Sequence, residues 1–204
     1  MTSPPRKAPR LLVRAAQTAI AAAAAADFFR ALEFREHTVP QLVSQQDEAP
    51  QDSVLGTQIF IWLMTLSTVL FLVWLSRTRR NAQELSPEAQ VPTGGRLIGA
   101  WFVPVVNLFV PLRHVLAIGR ASSAAWDRKR DTALVSLWWA AWVGHGLALT
   151  TTFKVAPESM AGLVVAEGLM AAAALLLIVV IERITALQSA ALDRLAVAPS
   201  PVEV

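Results

Sequence analysis

Long apolar stretches alternate along this chain with short ones rich in arginine, and the apolar stretches come in two kinds. Four of them, about 11–33, 55–76, 134–152 and 161–182, have the roughly 20-residue length that an α-helix needs to cross a bilayer. The clearest runs over 55–75 without a charge and stops at Arg77, Arg79 and Arg80. A fifth stretch, 97–111, is shorter and holds Pro104 and Pro111. Pro104 removes a backbone donor mid-run and clashes with the preceding turn, so this stretch is not built to cross as one helix. Two readings fit it: a helix lying on the bilayer surface, or a shallow re-entrant element whose opened backbone is satisfied by protein or water.

The pattern predicts an all-α integral membrane protein with four transmembrane helices and a Pro-broken interfacial or re-entrant segment at about 97–117. Its organisation is a disordered cytoplasmic tail over 1–10, one membrane domain over 11–188 and a second cytoplasmic tail over 189–204. The first stretch is alanine-rich, with Arg14 near its start and Asp27 and Arg30 near its end. It reads as a retained helix or as a cleaved signal peptide, and Arg14 in the apolar middle favours retention. Polar loops fill 37–52 and 81–95, and 121–131 is basic.

Charge sets the expected sidedness. Both termini, the arginines of 77–96 and those of 113–130 are assigned to the cytoplasm. All 18 lysines and arginines then lie inside except Arg30, Arg35 and Lys154, as the positive-inside bias requires. A full crossing at 97–111 would export the cluster that begins with Arg113 and Arg120. The expected location is therefore a bacterial inner membrane.

Composition narrows the class further. At 204 residues and 54% hydrophobic, with a mean hydropathy of +0.47, the chain is too apolar for an ordinary soluble domain. The net charge is +3, but the basic residues flank membrane segments and no nucleic-acid-binding motif is present. Anionic lipid headgroups, not nucleic acid, are the expected partners. Cysteine is absent, which removes disulfides and thiolate metal sites. Trp62, Trp74, Trp138, Trp139 and Trp142 read as interfacial anchors. Ala140, Gly144 and Ala148, then Gly168 and Ala172, recur at every fourth position. Such stripes permit close helix approach, including self-association or docking of another membrane protein.

Two ionisable residues fall inside crossings, His145 and Glu167, and intramembrane charges are expensive enough to be functional candidates. Each lies 11 positions from the turn centre at Ala156. At about 1.5 Å per residue an antiparallel hairpin brings them to similar depth. They are expected to face each other and hydrogen-bond, with Trp142 as a shield, either as a static polar lock or as a proton site. Asp27 and Arg30 are one turn apart and are expected to pair at the helix end. The three histidines, His37, His114 and His145, lack metal-binding spacing, so no metal and no cofactor is expected. HExxH, GxSxG and P-loop signatures are missing. The leading expectation is a non-enzymatic membrane interaction or assembly component with a basic cytoplasmic face. The alternative is a small, oligomeric transporter or channel using His145 and Glu167, and a lipid-modifying enzyme comes third.

Several motifs carry a family resemblance. Phe71-x-x-Trp74-x-x-Arg77-x-Arg79-x-Asn81-Ala82 is followed by Gly99-x-Trp101-Phe102-Val103-Pro104-x-x-Asn107-Leu108-x-x-Pro111. Ser122, Trp138-Trp139 and Arg183-Ile184-Thr185-x-x-Gln188 come after them. Together these resemble the bacterial membrane family called domain of unknown function 4328, over about 11–188. The chain departs from it at Leu97 and Gly119, where the resemblance leads one to expect tryptophan. The resemblance implies a multi-pass membrane protein without assigned catalytic residues. It also implies that Arg77, Asn81, Trp101, Pro104, Asn107 and Pro111, with Arg80 beside them, form one cytoplasmic-side unit. There Asn107 is expected either to accept from Arg77 or to cap the broken backbone, with Trp101 and Phe102 filling the interface.

Overall fold

A computed structural model describes residues 10–33, 51–156 and 159–197. Most of the expected N-terminal tail, most of the acidic loop with His37, and the last seven residues lie outside them. The described residues form seven helices: α1 (Arg10–Glu33), α2 (Gln51–Leu85), α3 (Gly94–Gly99), α4 (Pro104–Asn107), α5 (Val110–Ser122), α6 (Arg130–Val155) and α7 (Met160–Val197). No strand occurs among them. Helices α1, α2, α6 and α7 are long and apolar enough to cross a membrane. The protein is an all-α membrane protein with four such helices.

Each long helix buries one seam and shows apolar side chains elsewhere. On α7 the buried positions are Leu163, Ala166, Glu167, Met170, Ala173, Ala174, Val180, Ile181, Ile184, Leu187, Gln188 and Leu192. That is a three-four spacing, the stripe an α-helix turns toward its neighbours. Val13, Ala16, Gln17, Ile20, Ala23, Asp27 and Ala31 repeat it on α1. On the other faces Leu55, Ile59, Trp62, Leu66 and Val69 of α2 stand exposed, as side chains bathed in lipid do.

Two helix ends lie farthest from expectation. Helix α2 continues past 76 to Leu85, and α7 runs to Val197, so residues 189–197 of the expected tail are helical. Apolar patterning marks where a helix leaves the hydrocarbon, not where it unwinds. Residues such as Ala186, Leu187, Ala190, Leu192 and Arg194 favour helix in water as well, and α2 ends only just before Pro87, which disfavours helix in the residue before it.

Contacts divide the chain into two units. One comprises Met1–Val13, Leu72–Val135 and Val179–Val204; the other comprises Arg14–Phe71 and Ser136–Ile178. In the first unit the broken segment becomes α3, α4 and α5. Pro104 is the first residue of α4 and Pro111 the second of α5. Both prolines thus begin helices, where a missing N–H costs nothing. Helix α5 is amphipathic: Pro111, Val115, Ile118, Gly119 and Ser122 are buried, while Arg113 and Arg120 are exposed. The Trp126 ring lies where a Cβ on Gly119 would stand, so a side chain there would displace it. Leu97, the other departure from the resemblance, is fully buried. Ile98, Phe102, Val105, Leu108 and Phe109 of the same segment are exposed.

Candidate functional site

The α6–α7 hairpin is built for close approach. Ser159 Oγ accepts the Gly162 N–H at 3.1 Å and caps α7, which satisfies one of the helix's free donors. The Thr152 side chain fills the space where a Cβ on Gly162 would lie, and Leu169 packs against Gly144. Gly168 meets nothing where its Cβ would be, so the expected stripe is only partly used within this chain.

This packing places His145 and Glu167 together, with a third partner from α1. Ligand-type atoms of Asp27, His145 and Glu167 all lie within 4.8 Å of one another. The expected direct hydrogen bond is replaced by a different arrangement. His145 Nδ1 lies 2.9 Å from the Ala166 carbonyl. A carbonyl only accepts, so Nδ1 carries the proton and the Nε2 side is turned elsewhere. Nε2 lies 3.6 Å from Asp27 Oδ2, beyond hydrogen-bond reach. Trp142 is near the imidazole, ring centres 6.5 Å apart.

Asp27 and Arg30 do pair, but not in solvent. Arg30 donates to Asp27 Oδ1 from Nε at 3.2 Å and from a terminal nitrogen at 2.5 Å. Its guanidinium lies 4.8 Å over the Phe60 ring, a favourable cation–π placement. Asp27 is only 1% exposed, so this is a buried charge. Asp27 Oδ2 and Glu167 Oε1 are buried with no hydrogen-bond donor. Two acidic side chains, each with one buried oxygen unsatisfied, and an imidazole therefore converge on a small volume. Sequence reasoning left Asp27 out because pairing with Arg30 accounted for its charge. Its position on the buried α1 seam, four residues past Ala23, was the available signal.

The other expected unit assembles around different partners. Asn81 donates to Gln188 Oε1 at 3.2 Å. Gln188 Nε2 donates to the Thr78 carbonyl and to Ser122 Oγ, each at 2.8 Å. Ser122 Oγ in turn donates to the Ile118 carbonyl at 2.7 Å. Nearby, Trp74 Nε1 donates to Thr185 Oγ1 at 3.1 Å, and Arg183 spans both oxygens of Asp131 at 2.9 and 3.0 Å. The RIT-x-x-Q motif thus sends Arg183, Thr185 and Gln188 to three separate partners. Trp74, Trp138 and Trp139 are buried, so they are packing residues and not interfacial anchors. Trp62 is 72% exposed, as an anchor should be.

Arg77 and Arg80 are exposed, Trp101 and Asn107 are half-buried, and Pro111 is buried. Asn107 Oδ1 has no hydrogen-bond partner, so the expected donation from Arg77 is not made. The side chain of Asn81 faces α7 instead, where Gln188 offers both an acceptor and donors. Beside the broken segment lies an open cleft of about 270 Å³, lined by Arg96, Gly99, Ala100, Val103, Val106, Val110 and His114. His114 is half-buried. Burial holds its imidazole below the ordinary histidine value, since desolvation disfavours the charged form.

A family model described as Domain of unknown function (DUF4328) matches residues 42–186. That span includes Asn81, Ser122, His145 and Glu167, and leaves out Asp27, Arg30 and Gln188. No curated protein and no solved structure matches the chain.

Proposed function

The chain belongs to the DUF4328 family, and on that premise we propose that it is a non-enzymatic component of a bacterial inner membrane that binds anionic lipid through its broken segment. In this reading both termini and the arginine-rich stretches face the cytoplasm. One observation carries it: the exposed apolar residues Ile98, Phe102, Val105 and Phe109 share one short segment with the exposed Arg96, Arg113 and Arg120. Apolar side chains at acyl depth beside cations at headgroup depth are what an interfacial element needs. The cleft with Arg96 and His114 on its wall adds room for a headgroup.

The test is lipid retention by the chain in nanodiscs of mixed phosphatidylglycerol and phosphatidylcholine, read by native mass spectrometry. Each basic residue near an anionic surface contributes about 1 kcal/mol, about five-fold in affinity. Replacing Arg96, Arg113 and Arg120 with glutamine should therefore abolish the preference for phosphatidylglycerol. Unchanged preference would sink the reading. With no native cysteine, single cysteines at positions 96 and 120 report sidedness, and both should be labelled from the cytoplasmic side.

Transport is the second reading, and the buried Asp27–His145–Glu167 cluster is the observation on its side. Cation-driven flux in proteoliposomes that falls in Glu167→Gln would favour it. Outward-facing Gly168 leaves room for a second copy to pack against α7 in either case.

A further inference from the structure

We propose that Asp27, His145 and Glu167 bind a single divalent first-row transition-metal ion of the zinc class. The first ground is the pair of orphaned oxygens. Asp27 Oδ2 and Glu167 Oε1 are buried without a donor, on residues only 1% and 7% exposed. Buried acidic oxygens are strongly destabilising unless a proton or cation meets them. A protonated His145 does not do so here, because its Nε2 stands 3.6 Å from Oδ2, too far to donate.

The second ground is independent of the acids. His145 gives its Nδ1 proton to the Ala166 carbonyl at 2.9 Å. That is the outer-shell contact by which metal-binding histidines fix their tautomer and present a bare Nε2. Arg30 acts likewise on the aspartate: it takes Oδ1 and leaves Oδ2 free. Arg30 is therefore a positioning residue, and not a ligand.

Ligand type and charge select the ion. One imidazole nitrogen with two carboxylates suits zinc, cobalt or manganese. Calcium would ask for six or more oxygens. A neutral histidine, two carboxylates and a divalent ion sum to zero, leaving only the Arg30 charge, which is partly exposed and stacked on Phe60. Donor atoms around zinc at about 2.0–2.2 Å lie roughly 3.5 Å apart, so binding draws the widest of the present separations in by about 1 Å.

The experiment uses the full chain in nanodiscs, titrated with cobalt(II) and followed by visible absorption, elemental analysis and pulsed EPR. The expected result is one equivalent bound, with the nitrogen coupling of one imidazole. His145→Gln should remove that coupling, and it and Glu167→Gln should each weaken binding about ten-fold or more. The double variant His37→Gln/His114→Gln leaves His145 as the last of the three histidines and keeps the site whole. Retained coupling there supports the assignment even where His145→Gln does not fold. No cobalt uptake by the parent chain, or coupling lost in the double variant, overturns it.

Discussion

Glu167 and Gln188 occupy the same buried seam of α7, three heptads apart, and their surroundings are opposite. Gln188 has its oxygen and both amide hydrogens engaged, by Asn81, Thr78 and Ser122. Glu167 has a buried oxygen that no group among the described residues satisfies, near a second such oxygen on Asp27. A satisfied polar group inside a membrane protein ties helices together and selects one register. An unsatisfied one costs stability and is kept for something it can bind. The contrast separates a lock from a site, although both residues lie on one buried stripe of a single helix.

The largest expected effect comes from breaking the lock. Gln188→Leu strands the Asn81 amide and removes the bonds to the Thr78 carbonyl and Ser122 Oγ, and a buried orphan typically costs about 1–3 kcal/mol. A loss of about 3 kcal/mol is expected in thermal or denaturant unfolding in detergent. Next, Gly119→Val drives a side chain into the Trp126 ring, and overpacking of this kind costs about 1–3 kcal/mol. The same unfolding assay should show it, whereas Gly168→Ala, in open space, should leave stability unchanged.

Glu167→Gln should behave as the reverse of Gln188→Leu. It removes a buried charge without breaking a hydrogen bond, so stability is expected to change by no more than about 1 kcal/mol or to rise. If Glu167→Gln unfolds the protein while Gln188→Leu does not, the roles of lock and site are inverted. The smallest effect is in pH. The folded state resists protonating His114, so the unfolded chain takes up that proton at higher pH. Stability should then fall as pH drops through the ordinary histidine value toward the lowered folded one. The part of that loss missing in His114→Gln, read as Tm at pH 7.5 and 5.5, measures it.

Four crossings, the broken segment and the joint depth of His145 and Glu167 follow from the sequence. Each depends on local quantities: the length of an apolar run, a proline that cannot donate, and equal counting from a turn. The partners do not follow, because they depend on which helix faces which. Asn81 meets Gln188 across 107 positions, and Asp27 meets His145 from a helix that the charge pattern alone reads as ending in a surface ion pair. Likewise the buried Trp74 and the exposed Trp62 share one helix and one residue type. Hydropathy gives the apolar lipid-facing and the apolar inward-facing positions of this protein the same sign, so only packing in three dimensions decides which polar groups are satisfied and which are left open.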